Sequence, residues 1–369
     1  MFSMKRLLVL AALLPFTLAA DAGKNDDWLL YRGNAVQTGA VKAALPDKLE
    51  VIWQFATKDM IEGAPAVHQG VVYVGSQDEN LYAVDLANGQ KKWSYKAGPI
   101  KAPASYRDGA VYIGDGNGVL HCVDAAKGTK RWTFDTGGEI VSGANFSGDF
   151  ILFGSYDESL YCLTKDGKEK WKFKTQGPVN GSPAIIDGRT FVAGCDSSVH
   201  VIDTAKGTEL SSIDLGGQAA ATVAVDGDKL YVGTMTNEFH AVDWKQGKID
   251  WTFRAQKGAQ PFYASAAVTD KYAVAGSRDK RVYCLDRKTG DVVWNYPTGK
   301  RIDSSPVIAA NRVYVGSLDG NVYVLDLAKG TLVQKIELDS AVTGSPAIAD
   351  GRLLIGTEKG TLYCLGTKK

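Results

Sequence analysis

Residue types that commonly do chemistry are few in this chain, and their spacing works against a catalytic assembly. Its four histidines are His68, His121, His200 and His240. The last three stand in one recurring slot of an apolar run that elsewhere holds tyrosine. Exchanging one aromatic group for another in such a run is packing, and metal ligation needs side chains that converge. Asp115-Gly116-Asn117-Gly118 opens like a calcium loop. It lacks the remaining ligands and the closing glutamate, so it reads as a turn. Asn145-Phe146-Ser147 matches a glycan acceptor pattern, too short a match to carry weight. No Gly-x-Ser-x-Gly elbow, phosphate loop or Gly-x-Gly-x-x-Gly fingerprint precedes a helical stretch.

The five cysteines point the same way. Cys122, Cys162, Cys284 and Cys364 each follow the aromatic slot, after His121, Tyr161, Tyr283 and Tyr363. Stacked sheets lie about 10 Å apart, whereas a disulfide needs Cα atoms within about 7 Å. These four read as small buried residues rather than crosslinks. Cys195, at a loop entrance, is the one expected to be exposed.

What positions all of these residues is a repeat. Val72-Tyr73-Val74-Gly75-Ser76, followed by Leu81-Tyr82-Ala83-Val84-Asp85, recurs as Val313-Tyr314-Val315-Gly316-Ser317 and Val322-Tyr323-Val324-Leu325-Asp326. Its anchoring glycines are Gly75, Gly114, Gly154, Gly194, Gly233, Gly276, Gly316 and Gly356, at steps of 39, 40, 40, 39, 43, 40 and 40 residues. Each unit holds short β-branched and aromatic runs broken by Gly, Asp, Asn and Lys, the grammar of strand, turn, strand. Four strands in about forty residues is the arithmetic of a propeller blade. Runs apolar on both faces, such as Val322 to Leu325, suit blades sandwiched between neighbours.

The spacing predicts an all-β, eight-bladed β-propeller of four-stranded antiparallel blades over residues 50–369. The eighth unit stops at Leu362-Tyr363-Cys364-Leu365 without a last strand, while Glu50–Phe55 is a spare strand at the start. That strand is expected to complete the final blade and close the ring, which removes open sheet edges.

Punctuation within the unit is also regular. Asp85-Leu86-Ala87-Asn88-Gly89 precedes Trp93, Asp124 to Gly128 precedes Trp132, and Asp286 to Gly290 precedes Trp294. Aspartate caps the turn, and glycine supplies the positive φ a tight hairpin needs. The expected docking indoles are Trp53, Trp93, Trp132, Trp171, Trp251 and Trp294. Leu210 and Gln334 are read as standing where tryptophan is missing, and those two seams are expected to pack less tightly. The Ala-x-Asp-x-x-x-Gly-x-x-x-Trp pattern resembles the tryptophan-docking repeat of the pyrroloquinoline-quinone (PQQ) type propellers, over essentially residues 50–365.

Residues 1–20, with Lys5 and Arg6 before the apolar stretch Leu7 to Ala20, have the layout of a cleavable signal peptide. Residues 21–49 form an N-terminal extension, and a periplasmic or secreted location is expected. No other window is long and apolar enough to span a membrane. The whole chain carries +1; without Lys5 and Arg6, 40 basic residues face 41 acidic ones. Near-neutrality gives no electrostatic reason to bind nucleic acid or anionic lipid.

The resemblance implies two functional classes. Dehydrogenases of the PQQ type hold the quinone over a tryptophan, with calcium, a catalytic aspartate and a disulfide between adjacent cysteines. This chain has no adjacent cysteine pair and no insertion beyond its eight units. The expectation is therefore no catalytic residues, no cofactor and no metal. The other class is the BamB-like scaffold, which binds envelope proteins, though no lipoprotein cysteine follows the signal peptide. Trp28 to Asn34 resembles the opening of secreted stand-alone members. A monomer is expected. The rival is a PQQ-and-calcium enzyme or a small-ligand binder using the central funnel.

Candidate binding residues lie on loops of one face. The loop before each inner strand supplies Glu62, Lys101, Asn180 and Asp303, and the loop after each Gly-Ser opens beside it. The 43-residue step lengthens one such loop, Lys257 to Tyr263, whose Phe262 and Tyr263 are expected to form an exposed aromatic pair suited to a partner.

Overall fold

The computed structural model describes residues 27–255 and 260–368. The expected signal peptide and Lys257–Ala259 lie outside these residues. The described chain forms eight sheets, each a radial blade of four antiparallel strands. Blades 1 to 7 cover residues 66–96, 105–135, 145–174, 184–214, 224–254, 267–297 and 307–337. Blade 8 joins 347–366 to the strand Glu50–Ala56, which pairs antiparallel with Thr361–Gly366, Val51 opposite Leu365 and Phe55 opposite Leu362. The ring closes as the strand count requires. In blade 7 the third strand, Asn321–Asp326, is buried on both faces up to Leu325, whereas outer strands such as Lys91–Lys96 alternate. No helix among the described residues is long and apolar enough to cross a membrane.

Two contacts hold neighbouring blades together. The first explains the repeat's glycine. A Cβ on Gly75 would lie 2.2 Å from Ile100 Cγ2, and one on Gly114 would lie 2.1 Å from Ile140 Cγ2. The same approach recurs between Gly276 and Ile302, and between Gly356 and Ile61. Each of these four glycines leaves a hole that the next unit fills with an apolar side chain. The second contact is the indole. Trp294 donates Nε1–H to Leu327 O at 2.8 Å and lies against Gly330, whose φ of 67° no larger residue would adopt cheaply. Trp53, Trp93, Trp132, Trp171 and Trp251 make the equivalent bonds to Leu86, Ala125, Lys165, Thr204 and Arg287 carbonyls. A bulge precedes each of these tryptophans in its strand and swings the ring toward the seam.

The two exceptional seams differ from expectation. In blade 4 the residue in register with the other tryptophans is Ser211, opposite Val201, and Leu210 is the bulged residue beside it, 51% exposed. The seam is not left empty. Trp244, from the hairpin of blade 5, enters from the other side. It donates to Gly227 O at 3.0 Å and meets Phe191 of blade 4 edge-on at 5.1 Å. At Gln334 the next hairpin does not exist, because blade 8 has the chain's two ends there. Gln334 instead accepts from Leu49 N (2.9 Å) and donates to Leu49 O (2.7 Å), and Leu45 and Leu49 join the local core. An amide replaces the indole because its partner is open backbone rather than a glycine turn.

The N-terminal extension does more than lead into the ring. Its backbone runs along the far ends of the inner strands, accepting N–H groups from one blade after another. Trp28 pairs with Val67 in blade 1, and Leu29 O accepts from Tyr106. Ala35, Val36, Thr38 and Gly39 carbonyls accept from Ile185, Val225, Val268 and Ile308 in blades 4 to 7. Asn145 Nδ2 of blade 3 also reaches Ala35 O, at 2.7 Å. Ala40–Val41 then adds a parallel fifth strand to blade 7. The segment satisfies strand edges that would otherwise be bare. Arg32 lies within it, 1% exposed, donating to Ala266 O (2.9 Å), Ser305 O (3.2 Å) and Pro306 O. It has no carboxylate partner among the described residues, and burial pulls its pKa down to about 10.

These seams order the expected losses on substitution. Trp294→Ala and Trp244→Ala should each cost about 3–5 kcal/mol in denaturant unfolding, the range for deleting a large buried aromatic. Gln334→Ala, losing two hydrogen bonds, should cost about 1–3 kcal/mol. A neutral Trp244→Ala would show that the blade 4–5 seam does not rely on the reversed indole.

Candidate functional site

The inner ends of the blades enclose a funnel of about 410 Å³. It is open on the face of the inter-blade loops, and Tyr31 of the extension lines its floor. Two repeated slots build its wall. The residue after the seam-filling aliphatic gives Glu62, Lys101, Asn180, Tyr263 and Asp303, all of which line the funnel. Two positions further on, hydroxyl residues occupy five consecutive blades as Ser182, Thr222, Ser265, Ser305 and Ser345. Blades 1 to 3 have Ala64, Pro103 and Gly143 in that slot. The loops after the repeat glycine add Tyr156, Arg278 and Glu358. Both loop types therefore meet at one mouth, as the repeat order predicts.

Hydroxyl slots are wired from blade to blade. Gly143 N donates to Ser182 Oγ (2.8 Å), Ser182 N to Thr222 Oγ1 (2.8 Å) and Thr222 N to Ser265 Oγ (3.1 Å). Ser265 N and Ser305 N continue the chain to Ser305 Oγ and Ser345 Oγ. The Tyr31 hydroxyl sits 2.9 Å from Ser305 Oγ and within 3.5 Å of Ser265 and Ser345. In the sequence these serines and the threonine look like ordinary residues, three of them before proline; only alignment of the eight units marks them.

Charges at the mouth are largely paired. Arg278 grips Asp303 through both oxygens (2.7 and 3.0 Å), and Arg301 approaches the same carboxylate at 3.3 Å. The Arg278 guanidinium also stacks 4.1 Å over the Tyr263 ring. Lys101 pairs with Glu139 at 3.0 Å, which raises the lysine pKa. Burial raises the Glu62 pKa against the pull of Lys101, and Gln77 donates to Glu62. Burial also pushes the Tyr156 phenol up to about 12. Asn180 Nδ2 donates to Cys195 Sγ at 3.3 Å.

One expected site residue belongs elsewhere. Phe262 is not exposed: it is fully buried in the slot of Ile61, Ile100 and Ile302, filling the hole at Gly233 beside Phe239 and Phe253. Tyr263, 38% exposed, is the half of the pair that reaches the mouth. An aromatic residue replaces the usual aliphatic there, which is why the dipeptide looks like a loop anchor in sequence.

The mouth loops are pinned from below. Tyr82, Tyr161 and Tyr323 donate to Asp78, Asp157 and Asp319. His121 and His200, in the same strand slot, bond Asp115 and Asp196 through Nε2, both at 2.8 Å. His200 Nδ1 also meets Glu209 at 2.7 Å. No group of three or more His, Cys, Asp or Glu side chains among the described residues is placed to share a metal ion. All five cysteines are free; four are buried, and Cys195 is half-buried. The residues lining the funnel do not fit the donor set that the quinone-dependent members imply: no indole faces the cavity, and Asp303 is already shared by two arginines.

The fold and this blind, polar funnel define a closed eight-bladed propeller of the tryptophan-docked kind. A family model described as outer membrane protein assembly factor BamB matches residues 22–118, 116–210 and 195–368. The chain belongs to this PQQ-type, BamB-like family. It is 24% identical to BamB of Yersinia pestis over 189 residues, 47% of this chain and 47% of that protein. It is 30% identical to the beta-alanine-activating enzyme of Danio rerio over 101 residues, 25% of this chain and 9% of that enzyme. These matches span less than half the length of the curated relatives. Among solved structures, BamB from Moraxella catarrhalis superposes with a TM-score of 0.74 at 19% identity, covering 87% of this chain and 98% of that one. Quinohemoprotein alcohol dehydrogenase from Comamonas testosteroni superposes at 0.80 with 14% identity, covering 95% and 82%. Relatives thus include both an assembly factor and enzymes.

The doubly bonded His200 makes the mouth pH-sensitive. Burial opposes its charge, but the hydrogen bonds to Asp196 and Glu209 win and raise its pKa above the ordinary 6.5. A raised folded-state pKa stabilises fully below about 6.5, and the contribution is lost as pH rises through the folded value. Melting temperatures at pH 6 and pH 8.5 should therefore converge when His200 is replaced by Tyr, the repeat's usual residue. An unchanged pH dependence in His200→Tyr would remove this pair from the account.

Proposed function

We propose that this chain is an exported, non-catalytic scaffold of the bacterial envelope, which docks other envelope proteins on the loop face around the funnel mouth. A role in outer-membrane protein assembly is the form of this reading closest to its BamB-like kin. The observation that carries it is the convergence of both loop types, with the exposed rings of Tyr156 and Tyr263, on one face of a rigid ring. The opposite end of the channel is occupied by the chain's own N-terminal segment, so a partner entering the axis meets only the loop face. Export follows from the signal-peptide layout of residues 1–20 and fits the envelope setting of BamB-like proteins. The quinone-dependent dehydrogenase reading draws on the Comamonas testosteroni superposition; against it stand the tyrosine floor and the paired Asp303.

Capture from an envelope extract tests the scaffold. The double variant Tyr156→Ala, Tyr263→Ala should weaken recovery of the captured protein with little change in melting temperature, since interface aromatics contribute about 2 kcal/mol or more each to binding. By contrast, Phe262→Ser should lower the melting temperature, because that ring is core. Undiminished capture by the tyrosine double variant would move the docking surface elsewhere. Calcium-dependent turnover of alcohols or aldoses with added PQQ would reject the scaffold reading.

A further inference from the structure

Below the mouth the funnel adds a wall of hydroxyls that protein docking on the rim does not use, beside the same two tyrosine rings. We propose that it binds a neutral saccharide of one or two rings. Its volume, about 410 Å³, falls in the range of small-molecule sites, which run from about 300 to 1,000 Å³.

Charge argues first for a neutral occupant. The lining carries three carboxylates, Glu62, Asp303 and Glu358, and three cations, Lys101, Arg278 and Arg301. Asp303 is taken by two arginines, and Lys101 by Glu139. With its cations so engaged the wall offers, among the described residues, no free positive charge to a strong anion. Burial raises the Glu62 pKa and so weakens its hold on a cation, yet the pairs present fixed donors and acceptors in defined planes.

The wall then supplies what hydroxyl-rich ligands need. Ser182 and Thr222 each accept a backbone N–H from the neighbouring blade, so their oxygens are fixed. Their own protons find no acceptor among the described residues. Two oriented donors are left on the funnel wall, a few residues from the Asn180 amide. A ligand with many oxygens satisfies such groups, and an apolar one would leave them bare. The third element is aromatic. Tyr156 and Tyr263 are 37% and 38% exposed, and Arg278 stiffens the latter by stacking on it. A sugar ring has an apolar face that packs on an aromatic plane and a rim of hydroxyls that does not.

Calorimetric titration of the full mature protein with maltose, cellobiose, lactose and N,N′-diacetylchitobiose tests the assignment, with citrate and PQQ as anionic probes. At least one neutral disaccharide should bind saturably at one per chain. Tyr263→Ala should weaken it about tenfold, the equivalent of about 1.4 kcal/mol. Thr222→Val, which keeps the shape and removes the donor, should do the same. Because Thr222 also accepts a blade-to-blade bond, both variants are compared only at unchanged melting temperature, and Tyr156→Ala replaces Thr222→Val if that variant unfolds. No binding across the neutral panel, binding by the anions alone, or saccharide affinity indifferent to these substitutions would each overturn the proposal. Partner capture is read separately, so a failed saccharide titration leaves the scaffold reading standing, and the reverse.

Discussion

The structure depends on one repeated contact, an apolar side chain from each unit seated in the hole left by the preceding unit's glycine. Ile100 over Gly75 and Ile61 over Gly356 are the same event forty residues apart and at the ring's closing seam. At seven of the eight glycines a Cβ would overlap that apolar side chain outright, and at Gly194 it would meet Pro178 O at 2.6 Å instead, so the blade spacing near the axis is set there. The indoles set it again at the periphery, each held by a carbonyl and a left-handed glycine of the next hairpin. With the spacing fixed at two radii, a blade has little freedom to tilt. A buried aromatic removed at either radius costs a transfer term and a cavity term together.

This rigidity is what makes the funnel a site rather than a gap. The residue after the seated aliphatic must point to the axis, so eight side chains arrive at the mouth whatever their chemistry. The hydroxyl slot follows from the same geometry two residues later. The extension completes the arrangement from the far side by exchanging backbone hydrogen bonds with the inner strands, and its Tyr31 becomes the floor. Arg32 beneath it is a buried guanidinium that, among the described residues, meets three carbonyls and no carboxylate. Such a group is costly to desolvate and badly placed without those partners, which fixes where this segment must sit.

Period and strand grammar make the propeller, its blade count and its closure by a strand over Glu50–Phe55 readable in the sequence, because each recurs or is demanded by the count. What was illegible is what occurs once. Leu210 was set in the tryptophan slot by appearance, yet the bulge places Ser211 there, and only the ladder reveals a one-residue shift. Phe262 looked like a loop anchor because an aromatic replaced an aliphatic at a position whose burial depends on Gly233 of the blade before. Trp244 filled a seam from the reverse side, and the extension had no repeat to compare with. Glu62, Lys101, Asn180 and Asp303 line the funnel because their slot, not their identity, is periodic.

Departures from symmetry carry the functional information. A propeller of eight equivalent blades would present eight equivalent side chains and recognise nothing in particular. Here the hydroxyl slot is polar across blades 4 to 8 and Ala64, Pro103 and Gly143 in blades 1 to 3. The aromatic rings at the mouth come from blade 3 and the loop before blade 6, and the charged pairs fall on opposite arcs. The slot after the seated aliphatic faces the mouth and tolerates varied chemistry, whereas the hydroxyl slot also accepts a backbone N–H from the neighbouring blade. Blades 1 to 3 close without hydroxyls in that slot, so the ring itself does not demand the polar arc, and the funnel's one-sided chemistry is where selection for a ligand or partner would leave its mark.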